Sequence, residues 1–194
     1  MSDMIAFFRA WMANPLQIAS IVPSGRILAE AMTSEIGIAQ APIVELGPGT
    51  GVFTRQLIAC GVPQERIALV ENAGCFAPLL SFQFPAAVMT ETDATRLRHY
   101  DPFNGEKVGA LISGLPILSM PAWQVLAILH GAFRMLRPES AFYQFTYGWR
   151  CPVPRHLLDR LNLEATCIKR VFANIPPARV YRIRRRAPRA AGKG

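Results

Sequence analysis

The sequence predicts one α/β domain with a Rossmann-like sheet, in which seven mostly parallel strands carry helices on both faces and the last strand is antiparallel. The main observation is an apolar run ending at Val44-Glu45-Leu46, followed by three alternating glycines and an amphipathic helical pattern over 53–59. This order is a strand, a tight turn and a helix, which is the first crossover of such a sheet. The second observation is that later apolar runs keep alternating with helical segments.

The remaining elements follow in chain order. A helix over 26–32, with Ser24 as its predicted cap, precedes the first strand. With 194 residues, of which 51% are hydrophobic, the chain is long enough for a single core. We expect N-terminal helices over 1–40, the sheet domain over 41–186 and a basic disordered tail over 187–194. The other predicted helices cover 73–82, 121–136 and 153–161, and the other strands cover 66–70, 86–90, 108–113, 141–147, 164–172 and 179–183.

The turn after the first strand differs from a dinucleotide-binding fingerprint. In Gly47-Pro48-Gly49-Thr50-Gly51 the third glycine comes one position early, and Val52 occupies the place where that fingerprint needs glycine. Gly47 and Gly49 provide backbone that can bend through positive φ and let a ligand approach the main chain closely. Glu45 would repel a phosphate and attract a cation such as an α-ammonium group. A ligand with an amino-acid end therefore fits this turn better than a diphosphate does.

A second acid completes the pattern. Glu71 ends the second strand at a spacing of about 20 residues beyond the glycines, from which an acid accepts hydrogen bonds from ribose hydroxyls. An ammonium group, a ribose and no diphosphate together describe S-adenosylmethionine. The stretch Glu45-Leu46-Gly47-Pro48-Gly49-Thr50-Gly51, with Glu71 and with Asp93 after the third strand, resembles the class I S-adenosylmethionine-dependent methyltransferases. The resemblance implies that Asp93-Ala94 meets the adenine, and that the whole cofactor site comprises Glu45, Gly47, Pro48, Gly49, Thr50, Gly51, Glu71, Asn72, Asp93, Ala94 and Ser113.

Three further segments resemble the bacterial phospholipid N-methyltransferases, the family of phosphatidylethanolamine N-methyltransferase. They are 14–25, similar to N-P-x-x-x-G-A-x-x-P-S-G except at Ala19-Ser20; Ser113-Gly114-Leu115-Pro116 after the fourth strand; and 174–182, similar to N-x-P-P-A-x-V-x-x-Y/R. In this family the first segment closes over the cofactor. The resemblance implies methyl transfer from S-adenosylmethionine to the amine of phosphatidylethanolamine, stepwise toward phosphatidylcholine, with S-adenosylhomocysteine as the by-product.

The resemblance also assigns residues to the substrate. In amino-group methyltransferases, main-chain carbonyls at the position of Gly114 and Leu115 accept hydrogen bonds from the target nitrogen. Tyr147 ends the fifth strand at the edge where such sheets bind ligands, so we expect it to orient that nitrogen. Arg179 is predicted to pair with a lipid phosphate, with Arg182 as the second candidate. Catalysis is thus assigned to Tyr147, Gly114 and Leu115, and substrate binding to Ser24, Tyr147, Arg179, Tyr181 and Arg182.

Three other functions stay open on the sequence. An ornithine-lipid N-methyltransferase would also act on a primary amine, which the sequence does not distinguish from that of phosphatidylethanolamine. An rRNA adenine N-methyltransferase is the second, but Ile117 stands where nucleobase methyltransferases place an aromatic residue that stacks on the flipped base. This difference argues against a nucleic acid partner. The third is a non-catalytic membrane protein that binds S-adenosylmethionine. No oligomeric state is predicted.

The charge distribution indicates a membrane partner. The net charge is +8 and no acidic residue follows Glu164, so the C-terminal region favours an anionic membrane surface. The apolar segment 3–13 predicts a helix. That helix either lies in the membrane interface or packs on the domain as a lid. Whether the basic C-terminal end or the apolar N-terminal helix governs membrane attachment is left open.

The cysteines and the N-terminal segment indicate the compartment. The four cysteines form no C-x-x-C pair and have no histidine at ligand spacing, which predicts neither a metal site nor a disulfide framework. Asp3 and Arg9 disagree with a secretory signal. The uncharged stretch 108–133 is interrupted by glycine and proline and fits a buried strand and helix better than a membrane span. We therefore expect a cytoplasmic protein that is peripheral on the inner face of the cell membrane.

Overall fold

A computed structural model describes residues 23–172 and 176–187, which build one mixed sheet with helices against both faces. The N-terminal half supplies four strands, and each helix in it returns the chain to the start of the next strand. The elements of this half are α1 (Pro23–Met32), β1 (Ile43–Leu46), α2 (Val52–Ala59), β2 (Ile67–Glu71), α3 (Ala77–Gln83), β3 (Val88–Glu91) and β4 (Val108–Ser113).

The C-terminal half completes the sheet and gives it its antiparallel part. The strand order is β3-β2-β1-β4-β5-β7-β6. Strands β1 to β5 are parallel, whereas β7 lies between β5 and β6 and is antiparallel to both. The predicted Rossmann-like sheet with an antiparallel last strand is therefore confirmed. The elements of this half are α4 (Ala122–Met135), β5 (Leu136–Thr146), α5 (Arg155–Arg160), β6 (Leu163–Val171) and β7 (Ala178–Arg185).

Each face of the sheet has its own apolar core, because side chains alternate along a strand. Val44 and Leu46 of β1 belong to the core that includes apolar residues of α4 and α5. Ile43 belongs to the other core, which includes apolar residues of α1, α2 and α3. The central strands are buried on both faces, which explains why they read as continuous apolar runs rather than as alternating ones.

The largest boundary error lies between α4 and β5. The predicted helix extended to Leu136 and the strand began at residue 141, whereas the helix ends at Met135 and the strand begins at Leu136, which pairs with Val108. Pro138 accounts for the end of the helix, since it disfavours helical backbone at the residue before it. The start of the strand was missed because residues 137–140 are polar or proline. A register shift between Val108 and Ala110 accommodates this longer strand.

Two helices also begin at positions that differ from the predictions. Helix α1 already includes Pro23, so Ser24 lies inside it and the prediction of Ser24 as its cap is wrong. Helix α3 begins at Ala77 instead of residue 73, which places Pro78 in the first turn. A proline is tolerated there because the first backbone N–H groups of a helix have no partner within the helix.

Several sequence predictions lie outside the described residues. These are the helix over 3–13, most of the segment 14–25, the first residues of the 174–182 motif and the tail from 188. Within residues 23–172 and 176–187, no helix is long and apolar enough to cross a membrane.

A glycine permits helix α4 to pack closely on a short neighbouring helix. Helix α4 packs on the short 3₁₀ helix Ala94–His99, and Gly131 lies at the contact. A Cβ atom on Gly131 would lie 2.7 Å from the Leu97 Cβ and 2.8 Å from the Arg98 backbone nitrogen. Both neighbours are close to the backbone and cannot rotate away. The contact therefore requires glycine at this position.

Gly131→Ala should destabilise the protein. Alanine favours a helix by about 1 kcal/mol over glycine, but the overlap at Leu97 and Arg98 should cost more, for a net loss of about 1–3 kcal/mol in the free energy of unfolding. Urea denaturation followed by circular dichroism measures this difference. The exposed neighbour His130→Ala serves as the control on the same helix. A Gly131→Ala protein as stable as the His130→Ala control would contradict the contact.

Candidate active site

Most of the predicted site residues meet at one edge of the sheet. The carboxyl ends of β1, β2, β4 and β5 lie at this edge, which we call the carboxyl edge, and ligands of open α/β sheets bind there. Because β7 is antiparallel, its amino end reaches the same edge, where Arg179 pairs with Thr146. Sequence reasoning placed the strand ends correctly, so the cofactor and substrate residues assigned to them share one region.

The glycine turn, residues 47–51, is bent through left-handed backbone. The φ angles are 63° at Gly47, 55° at Gly49 and 77° at Gly51. A Cβ atom on Gly51 would lie 2.4 Å from Phe84 Cε2, whereas one on Gly49 would have no atom within 4 Å. Gly51 is thus required for packing. Beside Gly49 there is open space in which a ligand can approach the main chain.

Glu45 is fully buried beneath this turn. The Thr54 hydroxyl of α2 donates a hydrogen bond of 2.7 Å to its Oε2. Its Oε1 is buried and has no hydrogen-bond partner among the described residues. Burial raises the pKa of the Glu45 carboxyl to about 7, opposed by the Thr54 hydrogen bond and reinforced by the charge of Glu71. A buried carboxylate oxygen without a donor fits a ligand that brings a cation or an N–H group.

Glu71 connects the end of β2 to the glycine turn. Its Oε2 accepts a hydrogen bond of 3.1 Å from the Gly49 backbone N–H, and its Oε1 accepts one of 2.9 Å from the Ala73 N–H. The side chain is buried. Each carboxylate oxygen retains a further lone pair, so these contacts leave the predicted ribose interaction available. The shaping of the turn by Glu71 is a role that the sequence did not predict.

The third strand and its helix complete the cofactor half of the edge. Asp93 follows β3 and caps the 3₁₀ helix Ala94–His99, because its Oδ1 accepts a hydrogen bond of 2.7 Å from the Thr95 N–H. Ala94 is buried, whereas Asn72, beyond Glu71, is exposed. Contact of these residues with an adenine or ribose stays a prediction.

The loop after β4, residues 113–116, packs directly on the glycine turn; we call it the acceptor loop. The Gly114 N–H donates a hydrogen bond of 2.8 Å to the Leu46 carbonyl, and a Cβ atom on Gly114 would lie 2.6 Å from the Gly47 carbonyl oxygen. Ser113 is fully buried, and its Oγ accepts a hydrogen bond of 3.3 Å from the Leu115 N–H. The predicted cofactor and amine sites are therefore in backbone contact.

Gln144 of β5 is a polar residue of the site that sequence reasoning missed. Its Nε2 donates hydrogen bonds of 3.0 Å to the Leu115 carbonyl and 2.9 Å to the Phe145 carbonyl. Its Oε1 is buried without a hydrogen-bond partner among the described residues. The signal was a single amide in the otherwise apolar and aromatic strand 141–147. Gln144 thus fixes the carbonyl of Leu115, which also accepts a hydrogen bond of 2.9 Å from the Ile117 N–H. Both lone pairs of this carbonyl are then occupied, which disagrees with its predicted role as an acceptor for the target nitrogen.

Tyr147 and Arg179 lie together at the end of β5. Tyr147 is half-buried, and its ring meets that of Phe145 edge to face with centroids 5.4 Å apart. Arg179 donates a hydrogen bond of 3.0 Å to the Gly148 carbonyl, and its guanidinium lies 4.6 Å from the centre of the Trp149 ring. Arg179 therefore holds the loop that follows Tyr147.

The structure separates Arg182 from Arg179. The two lie an odd number of residues apart on β7 and so occupy opposite faces of the sheet. Arg182 donates to both oxygens of Glu35, at 2.8 and 3.1 Å, and the Tyr143 hydroxyl donates to Glu35 at 3.2 Å. Burial, with the nearby Glu35 charge, raises the pKa of Tyr143 to about 12. Arg182 thus attaches β7 to the segment after α1. Arg179 and Arg182 therefore do not form a common phosphate site.

The other substrate candidates are partly described. Tyr181 is buried on β7 opposite Gln144, and burial raises the pKa of its hydroxyl. The side chain of Ser24 is not among those that the structure describes. Within the described residues, no group of three or more His, Cys, Asp or Glu side chains is arranged to hold a metal ion.

Comparison with known proteins agrees with this geometry. No protein-family profile matches the chain. A similar curated protein is an ornithine lipid N-methyltransferase of Singulisphaera acidiphila, which is 28% identical over 187 residues, covering 93% of this chain and 95% of the relative. Among solved structures, the CcbJ methyltransferase of Streptomyces caelestis superposes with a TM-score of 0.64 at 15% identity, covering 86% of this chain and 91% of CcbJ. The fold is that of the class I methyltransferases.

A second solved structure of this fold is the glycopeptide N-methyltransferase MtfA in complex with S-adenosyl-L-methionine. It superposes with a TM-score of 0.61 at 10% identity, covering 84% of this chain and 95% of MtfA. At 10% identity this likeness shows only that the two proteins share the arrangement of strands and helices. In this chain the glycine turn and the acceptor loop lie at the carboxyl edge, together with Glu45, Glu71 and Ser113.

Burial of Glu45 should make the stability of the protein depend on pH in a defined direction. The carboxyl titrates near its ordinary value of 4.5 when the chain is unfolded and near 7 when it is folded. Between pH 4.5 and about 7 the folded state binds more protons than the unfolded state. The contribution of Glu45 to stability is therefore fully present below pH 4.5 and is lost as the pH rises through about 7. The stability of the Glu45→Gln protein should not decrease in this way, because glutamine stays neutral.

The measurement is the free energy of unfolding of both proteins between pH 4.5 and 8. The Glu45→Gln protein should gain about 1–3 kcal/mol relative to the parent as the pH rises across this interval. Glu65→Gln, at an exposed position, controls for the removal of one acid. A difference between parent and Glu45→Gln that does not change with pH would show that Glu45 is not buried as described.

Proposed function

We propose that this protein transfers a methyl group from S-adenosylmethionine to the amine of a membrane lipid. The observation that carries the proposal is the backbone contact between the glycine turn, with the unpaired Glu45 oxygen beneath it, and the acceptor loop. In this arrangement a cationic amino-acid end would bind beside an amine. The class I fold and the lipid-modifying relative support the same assignment.

The residues at the carboxyl edge fit the parts of the cofactor. Glu45 would bind the α-ammonium group, and the open space at Gly49 would admit the methionine portion against the backbone. Glu71 would accept hydrogen bonds from the ribose hydroxyls, and Asp93-Ala94 would contact the adenine. When bound, S-adenosylmethionine supplies an electrophilic methyl group on a sulfonium.

The protein must then present a neutral amine to that methyl group. A protonated alkyl amine has a pKa of about 10 and must lose a proton before it can react. The Gly114 carbonyl and the Tyr147 hydroxyl would hold the nitrogen in line, since positioning supplies much of the rate in such displacements. Gln144 keeps the Leu115 carbonyl in a fixed position through its hydrogen bond of 3.0 Å.

Two lipids are candidate acceptors. Phosphatidylethanolamine, with its methylated products on the way to phosphatidylcholine, follows from the resemblance of the motifs at 113–116 and 174–182. Ornithine lipid is favoured by the relative from Singulisphaera acidiphila, whose name assigns it that substrate. Both offer a primary amine on a lipid head group. The protein would act from the cytoplasm, peripherally on the inner face of the cell membrane, where the basic C-terminal region meets anionic lipids.

The test is methyl transfer from radiolabelled S-adenosylmethionine to separate acceptors. Vesicles containing phosphatidylethanolamine, vesicles containing ornithine lipid, and total RNA are supplied in parallel, and label in the lipid extract is compared with label in RNA. Label in either lipid but not in RNA is expected. Label in RNA alone would replace the proposal with the nucleic acid alternative, and cofactor binding without label in any acceptor would favour a non-catalytic protein.

The glycine turn offers a comparison that separates cofactor binding from folding. Gly49→Ala should abolish cofactor binding, because the new methyl group would occupy the open space, while the positive φ costs only about 1–2 kcal/mol of stability. Gly51→Ala should instead destabilise the fold more strongly, because its Cβ meets Phe84 at 2.4 Å. Calorimetric titration with S-adenosylmethionine and urea denaturation measure the two effects. Unchanged affinity of Gly49→Ala would mean that the turn does not line the cofactor site.

A further inference from the structure

Exposed apolar side chains are concentrated at the carboxyl edge. Six large hydrophobic residues are exposed among the described residues, and four of them follow the ends of β4, β5 and β6. Of the other two, Ile38 precedes β1 and lies at the opposite edge of the sheet, and Phe82 lies on α3. We call the group of four the apolar rim; it consists of Leu118, Trp123, Trp149 and Phe172.

The sheet places the apolar rim around the end of β5. Strand β6 is parallel to β5, since both are antiparallel to β7, so Phe172 emerges at the same edge as Tyr147. Leu118 approaches the loop after β5, because a Cβ atom on Gly148 would lie 3.7 Å from Leu118 Cδ2. Trp149 is in this loop, one residue beyond Gly148. The rim therefore borders the acceptor side of the proposed site.

Only basic charges accompany the apolar rim. Arg179 lies over the Trp149 ring, Arg170 pairs with Arg179 across β6 and β7, and Arg150 and Arg170 are exposed. The connections after β4, β5 and β6, residues 114–121, 147–154 and 172–177, contain no Asp or Glu. The acids of the site, Glu45, Glu71 and Asp93, lie instead at the ends of β1, β2 and β3.

We propose that the apolar rim and its arginines dock the protein on an anionic phospholipid bilayer. Trp and Phe side chains favour the region of lipid head groups, and arginine pairs with lipid phosphates. The acyl chains of a lipid stay in the bilayer, so its amine reaches the acceptor loop only if the mouth of the site faces the membrane surface. The proposal rests on the proposed function in taking a lipid as the substrate. It assigns membrane contact to the catalytic domain itself, in addition to the segments predicted from the sequence.

Vesicle flotation tests the apolar rim directly. Vesicles of phosphatidylethanolamine and phosphatidylglycerol are mixed with the full chain, with a triple variant (Leu118→Ser, Trp149→Ser, Phe172→Ser) and with Ile38→Ser. The triple variant should partition at least about tenfold less, because each residue loses the transfer of an apolar side chain out of water. Replacing phosphatidylglycerol by phosphatidylcholine should weaken binding of the intact protein, because the arginines lose their anionic partners. A triple variant that floats like the intact protein overturns the proposal.

A matched pair of single variants tests the proposal even if the triple variant misfolds. Leu118 and Ile38 both lie in three-residue 3₁₀ helices and are 52% and 65% exposed, but they are at opposite edges of the sheet. Leu118→Ser should reduce flotation and Ile38→Ser should not, with equal unfolding temperatures and equal calorimetric affinity for S-adenosylmethionine. Equal flotation of the two variants would again overturn the proposal.

Flotation requires no turnover, so it separates this inference from the proposed function. If the intact protein methylates lipid and the triple variant binds and methylates vesicles normally, the docking surface is wrong and the proposed function stands. If the triple variant loses flotation while the intact protein methylates no lipid, the docking surface stands and the proposed function is wrong. When both hold, the triple variant should lose activity on vesicles but keep activity on a short-chain phosphatidylethanolamine dissolved as monomers.

Discussion

The buried carboxyl group of Glu45 is the constraint on which the site depends. An acid removed from water is costly unless it is paired, and here Thr54 satisfies only one of its oxygens. To bring Thr54 above Glu45, the chain must reverse between β1 and α2 within the glycine turn, which is why its backbone passes through left-handed conformations. The same reversal exposes main chain at Gly49. The glycine turn thus gives the proposed cofactor site its shape, and Glu45 beneath it gives the site its charge.

The two halves of the carboxyl edge have opposite characters. The ends of β1, β2 and β3 carry carboxylates that suit a cationic, hydroxyl-bearing ligand, whereas the ends of β5, β6 and β7 carry aromatic side chains and arginines. The acceptor loop lies between them, because β4 is the strand between β1 and β5. Under the proposed function, the acids would attract the cationic donor and the arginines would attract the lipid phosphate. The sulfonium and the head-group amine would then meet beside the backbone of Gly114.

Much of the fold and half of the site could be predicted from local patterns. Alternation of apolar runs and helical segments predicted the sheet. The glycine turn with Glu45, Glu71 and Asp93 predicted the position of the cofactor half, because each of these acids lies at or near the carboxyl end of a strand. The contacts of Gln144 and the separation of Arg179 from Arg182 could not be read in this way. They depend on which residues face each other across β4, β5 and β7 and on which face of β7 a side chain occupies. The start of β5 was wrong because residues 137–140 are polar or proline and interrupt the apolar pattern of the strand.

The position of β7 has a consequence for biosynthesis. This strand is inserted between β5 and β6, although it is made after both. Until the ribosome has released the chain through Arg185, β5 has one unpaired edge and β6 has no neighbour, so their backbone N–H and C=O groups are open to pairing with other chains. The nascent chain therefore exposes these strand edges until β7 has emerged, and during this interval it is open to pairing with other chains.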